Sequence, residues 1–177
     1  MPILHPALFV LGDSISLAYG PTLERMLAGR FTYNRKGYAL LGGQNTDSSL
    51  VNGGDSQSVC TFLQSEASQL GPDCSILLLN CGLHDLRVNL QSGAHQVELV
   101  NYLRNLEQII ALVRSLSQNL VWVRTTPVAD VLHNRLSLDF HRHNADVIAY
   151  NAGADTVMQE AGIPSIDLYR FTLSLCE

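Results

Sequence analysis

The chain has 177 residues, 46% of them in the hydrophobic set and only 15% charged, with a formal net charge of −5. That length suits one domain with a core of its own, and so low a charge content argues against a disordered or linker-rich chain. Eleven basic against sixteen acidic residues, with Lys36 the sole lysine, leave no basic face for a nucleic-acid backbone.

Ala7–Gly12 is a continuous apolar run stopped by glycine, the pattern of a strand buried on both faces. A helix is expected from about Ser16 to Ala28, with Leu17, Leu23, Met26 and Leu27 as its inner stripe and Pro21 fitting only near its first turn. Phe31–Arg35 reads as a second, weaker strand. The segment from Gly37 to Asp55 is rich in Gly, Asn, Ser and Asp and reads as a functional loop. Asp55 or Ser56 then caps a helix with Val59, Phe62, Leu63, Ala67 and Leu70 at helical spacing, ended by Gly71 and Pro72.

Ser75–Asn80 is the third strand. The clearest helix spans about His95 to Ser117, its stripe made by Leu99, Val100, Leu103, Leu106, Ile109, Ile110, Val113 and Leu116. Leu120–Arg124 is a fourth strand, followed by a polar loop whose segment Val131–Asn144 reads as a mobile rim. A helix from Asn144 to Ala161 and a short strand at Ser165–Leu168 complete the pattern. The expected fold is α/β: a three-layer α/β/α arrangement around a five-stranded parallel sheet, with no linker dividing residues 1–177.

Cys60, Cys74, Cys81 and Cys176 form no C-x-x-C and no zinc-type pairing with histidine, so they read as small buried hydrophobes in a reducing compartment. The N-terminus lacks the basic and long apolar regions of a signal peptide, and Ala7–Leu11 is too short to span a bilayer. The default is a cytoplasmic protein with no membrane partner.

In a parallel sheet, ligands gather beyond the carboxyl ends of the strands. Four polar segments fall there: Asp13-Ser14, Gly42–Asp47, Gly82–Asp85 and Thr125–Asp130. Ser14 follows strand one directly and leads into a helix. Its hydroxyl is a potential nucleophile and its amide a potential oxyanion donor, although a serine there also serves as a plain helix cap. No G-x-G-x-x-G, P-loop or G-x-S-x-G pattern competes for the position.

Taken in order, these blocks resemble the SGNH (GDSL-type) serine hydrolases, a family of esterases and lipases on a flavodoxin-like sheet. Phe9–Ser14 matches the first block. Gly43 with Gln44, Asn45 and Thr46 matches the second, with Gly42 the alternative. Gly82, Leu83, His84 and Asp85 stand where the family has G-x-N-D, with histidine replacing asparagine. The resemblance extends over residues 7–170 and implies a strand order of 2-1-3-4-5. It implies cleavage of small carboxylic esters through an acyl-enzyme on Ser14, with Ser14 N–H, Gly43 N–H and an N–H of His84 holding the oxyanion. That route needs no metal or organic cofactor, and the expected partner is a small-molecule ester. Asn80, two residues before Gly82, is a candidate substitute donor, but from within strand three it is expected to point elsewhere.

The family's D-x-x-H after the fifth strand, and the helix that closes the fold, find no counterpart before Glu177. A C-terminally shortened hydrolase and a catalytically impaired, SGNH-like binding module are both compatible with that ending. Asp130 and His133 do spell D-x-x-H, but after strand four, as a weak candidate pair; His141 and His143 lie close by without clear metal-ligand spacing.

Overall fold

A computed structural model describes residues 5–38, 48–71, 73–116 and 118–175. The main sheet is built from β1 (Ala7–Gly12), β2 (Thr32–Arg35), β3 (Cys74–Asn80), β5 (Asn119–Val123) and β7 (Ser165–Ile166). All neighbours are parallel and the order is β2-β1-β3-β5-β7. Counting only these five strands, that is the expected 2-1-3-4-5. A second, two-stranded antiparallel ribbon joins β4 (Val88–Asn89) to β6 (Phe140–His141).

Alternation along the central strands sorts side chains onto two faces. Phe9, Leu11, Leu77, Leu79 and Trp122 face a thick core beneath α3 (Ser56–Ser65), α4 (Leu99–Ser115) and α6 (Asn144–Glu160). Those helices contribute Val59, Phe62, Leu106, Ile109, Val113, Val147, Ala154 and Met158. On the other face Leu8, Val10, Leu78 and Val123 form a thinner layer under Leu23 and Leu27 of α1 (Ser14–Leu27), with Leu168 at the start of α7 (Leu168–Ser174). Among the described residues no helix is long and apolar enough to cross a membrane. Cys60, Cys74 and Cys81 are buried and free, as expected, and Cys176 lies outside the described residues.

Several elements depart from the expected pattern. A short helix, α7, follows β7 where no closing helix was expected. Pro21 sits in the middle of α1 rather than its first turn. The buried positions of that helix are Ser16 and Gly20, while Met26 is 73% exposed. The reason is Arg35: its guanidinium is buried against α1, donating to the Ser16 carbonyl at 3.2 Å and the Ser16 hydroxyl at 3.1 Å. At Gly20 a Cβ would stand 2.8 Å from the Tyr33 hydroxyl, so only a small residue fits there. In α4 the stripe is buried from Leu106 onward, but Val100 points to solvent. Ala67 and Leu70 belong to a separate 3-10 turn (Ala67–Leu70). The loop expected to be a mobile rim instead carries α5 (Asp130–Leu136) and β6. A further short helix, α2 (Ser48–Val51), follows the segment 39–47, which lies outside the described residues.

Candidate active site

The register of the sheet brings the first and third blocks to one edge. Gly12, the last residue of β1, is the cross-strand partner of Asn80, the last residue of β3. The chain segments carrying Ser14 and Gly82 therefore leave adjacent strands side by side. Gly12 tolerates no side chain, because a Cβ would lie 2.8 Å from that of Ser16. The Gly53 amide donates to the Gly12 carbonyl at 2.8 Å, strapping the segment before α3 across the end of β1.

Asp13, not Ser14, is the N-cap of α1: its Oδ1 accepts the Ile15 amide at 2.9 Å. The cap closes the first turn and leaves Ser14 as its first residue, exposed at the sheet edge. Among the described residues neither the Ser14 hydroxyl nor its amide has a hydrogen-bond partner. Asp13 itself is fully buried, and its Oδ2 has none either. Burial pushes the Asp13 carboxyl up to about 6, against the opposing pull of the Ile15 amide and the charges of Arg142 and Arg87.

Gly82 turns the chain at the end of β3 with φ +139°, a conformation that L side chains rarely adopt. The following Asp85 fixes the block. Its carboxylate accepts the Ser56 amide at 3.0 and 3.1 Å and also the Ser56 hydroxyl, which in turn accepts Asn105 Nδ2 at 2.8 Å. The Asp85 carbonyl takes the Val97 amide at 2.9 Å. Burial raises this carboxyl to about 7 despite the Ser56 bonds. Asp85 thus ties the third block to α3 and to the approach to α4, a positioning role.

His84 stands half-buried in that block. Its Nε2 is 3.3 Å from the Arg87 guanidinium. Arginine can only donate, so Nε2 is the lone-pair nitrogen and Nδ1 carries the hydrogen. Burial, with the charges of Arg87 and then Arg142, lowers the His84 pKa to about 4, Asp55 opposing. At neutral pH it is an uncharged imidazole with a single N–H, suited to donate a hydrogen bond and poorly suited to serve as a base.

Asn80 is turned away from this edge, as expected: its Nδ2 donates to the Val123 carbonyl at 3.1 Å. Asn151 closes the end of β5 by accepting the Thr125 amide at 3.1 Å and donating to its carbonyl at 3.0 Å. Gly43 and its alternative Gly42 lie outside the described residues. The Asp130 and His133 pair is not assembled as a base and its orienting acid. His133 uses Nδ1 toward Asn134 Oδ1 at 3.0 Å and Nε2 toward Arg142 at 3.0 Å. Asp130 accepts the Asn144 amide at 2.8 Å and lies 3.7 Å from His143 Nδ1. The i,i+3 spacing put both residues on α5, but each side chain turns to the loop preceding α6. Among the described residues no group of three or more His, Cys, Asp or Glu is placed to hold a metal ion.

Two residues that sequence reasoning passed over are Arg87 and Arg142. Arg142 follows β6 and donates through Nε to the Leu83 carbonyl at 2.6 Å. Both guanidinium groups lie over the Phe140 ring, at 4.5 Å for Arg87 and 4.8 Å for Arg142. They meet only because β4 pairs with β6, and no local motif signals that pairing.

No protein-family model matches the chain, and no curated protein does. Solved structures do. The lipase/acylhydrolase from Enterococcus faecalis is 16% identical over 97% of this chain and 80% of its own, with a TM-score of 0.64. A GDSL-like lipase from Bacteroides thetaiotaomicron is 11% identical, with 93% and 69% covered and a TM-score of 0.63. A psychrotrophic esterase from Pseudoalteromonas, solved inhibited by monoethylphosphonate, is 9% identical, with 91% and 76% covered and a TM-score of 0.56. The parallel sheet of order β2-β1-β3-β5-β7, clothed by helices on both faces and superimposable on these structures, has the fold of the SGNH/GDSL-type hydrolases.

Proposed function

We propose that the chain is a serine hydrolase of carboxylic esters, acting through an acyl-enzyme on Ser14 within a single domain. The observation that carries this reading is the exposed Ser14, with hydroxyl and amide both free, at the sheet edge where the block of His84, a neutral imidazole with one N–H to give, also begins. The Ser14 hydroxyl oxygen attacks the ester carbonyl carbon, and the carbonyl electron pair moves to oxygen. Ser14 N–H and His84 Nδ1–H donate to that oxyanion, and Gly43 N–H is the third donor. When the carbonyl re-forms, the ester C–O bond breaks and the alcohol leaves with the proton that Ser14 gave up. Water then cleaves the acyl-serine to the acid and restores the hydroxyl. Similarity to structures named lipase, acylhydrolase and esterase supports the same class of reaction.

The experiment is labelling with a fluorophosphonate, followed by intact mass and peptide mapping. Adduct formation at Ser14, absent in Ser14→Ala, is the expected result. With p-nitrophenyl acetate, turnover by Ser14→Ala should fall by about 10³-fold or more. Equal turnover by both proteins removes Ser14 from the mechanism, and absence of any adduct favours a module that binds without acylation.

A further inference from the structure

We propose that Arg87 and Arg142 form an anion subsite at the edge of the crevice, selecting esters that carry a second, negatively charged oxyacid group. This rests on the ester-hydrolase reading above and names the class of substrate.

Each guanidinium is held in place by a carbonyl or a ring nitrogen rather than by a carboxylate. Arg142 donates to the Leu83 carbonyl and contacts His133 Nε2, while Arg87 contacts His84 Nε2 and leaves its buried Nε without a partner. Phe140 supports both from one ring. Among the described residues neither forms an ion pair. Arg124, by contrast, binds Asp155 at 3.2 Å and Asp167 at 2.7 Å. In a chain with sixteen acidic and eleven basic residues, two cations on one aromatic ring with no carboxylate in ion-pair contact are an unusual arrangement, although Asp139 lines the same cavity as Arg87.

The two charges repel. After burial, the largest cause of the lowered pKa of Arg142, to about 10, is the charge of Arg87. At neutral pH both remain protonated. Arg87 senses Asp55 first and then Asp13, and Arg142 senses Asp13; Asp55 is engaged by Ser58 and Gln96, and Asp13 is buried beneath the first turn of α1 with its own pKa raised. An incoming oxyanion would relieve the repulsion between the two guanidinium groups. Planar guanidinium groups favour carboxylate, phosphate or sulfate in this role. The location ties the site to catalysis, since Arg142 bonds the carbonyl of Leu83 and Arg87 touches the ring of His84. The anion would therefore bind next to the oxyanion donor and orient the ester through its charged end.

The test uses the whole chain and needs no turnover. Succinate, inorganic phosphate and sulfate are titrated separately while the arginine Nε–H resonances are followed by ¹H–¹⁵N NMR. Saturable shifts of the Arg87 and Arg142 signals are expected, and the anion that binds most tightly identifies which oxyacid the site takes. In Arg142→Gln that anion should bind at least about tenfold more weakly, with Arg142→Lys in between. No saturable shift in the wild-type chain with any of the three anions overturns the proposal, whatever the variants do. Unchanged affinity in an Arg142→Gln protein with native near-UV circular dichroism overturns it as well. Fluorophosphonate labelling is read separately. Anion binding without a Ser14 adduct refutes the hydrolase reading but leaves the subsite standing, while an adduct without anion binding refutes the subsite alone.

Discussion

Replacing Asp13 with asparagine gives a direct reading of what the crevice edge costs the fold. Burial carries this carboxyl from the usual 3.8 to about 6, with the Ile15 amide and the two nearby arginines only partly offsetting it. At 1.36 kcal/mol per pKa unit, that difference amounts to roughly 3 kcal/mol between the protonated and ionised forms. The folded value lies above the unfolded one, so the folded chain holds this proton more tightly. The associated stability is complete below about 3.8 and is lost as pH rises through about 6. Asparagine keeps the acceptor for Ile15 and does not titrate. Its extra N–H groups take over the place of the unpartnered Oδ2 at a cost of about 1–3 kcal/mol, but that cost is constant with pH. Urea unfolding of both proteins between about pH 4 and pH 8 should therefore show the variant gaining on the wild type by roughly 3 kcal/mol across the range. A difference that stays flat, or moves the other way, would refute the buried carboxylate at position 13.

Gly82→Ala should lower stability by about 1–3 kcal/mol through backbone strain, since the nearest side-chain atom would lie 3.5 Å from the new Cβ and no clash intervenes. The urea midpoint measures it, and an unchanged midpoint would contradict the positive φ. His84→Ala should reduce kcat on p-nitrophenyl acetate by about 10²-fold with little change in KM, and His84→Asn should recover part of the loss. Because the imidazole has a pKa of about 4, its contribution should be constant from about pH 5.5 to 8. A rise and fall across that interval unique to the wild type would assign His84 to proton transfer instead. Asp85→Ala strands the Ser56 amide and hydroxyl in the interior and should destabilise by about 3 kcal/mol by thermal or urea unfolding. A loss under about 0.5 kcal/mol would remove its positioning role.

Much of this architecture is legible in the residues. Ala7–Gly12 and Ser75–Asn80 read as central strands because a parallel sheet covered on both faces demands unbroken apolar runs. The run from Leu106 to Val113 reads as a buried helix because its period is 3.6. From those strands follows the edge from which the segments of Ser14 and His84 both leave. The face of α1 is not legible, since Ser16 and Gly20 are buried by an arginine that arrives from β2 rather than by their own hydrophobicity. Nor is α5, whose seven residues include no buried position and so carry no periodic stripe. The tautomer of His84 follows from its contact with Arg87, and the failure of Asp130 to reach His133 from the partners each finds instead, Asn144 for Asp130, and Asn134 and Arg142 for His133.

The β4–β6 ribbon has a mechanical consequence. The loops after β3 and β5 leave different strands and would otherwise drift independently. Phe140 carries a cation on behalf of each, and Arg142 bonds the Leu83 carbonyl besides, so the two rims of the crevice are tied together. Displacing that single ring would disturb the alignment of His84 and the anchorage of Leu83 together, so tolerance to change at position 140 gauges how rigidly the mouth of the crevice is held.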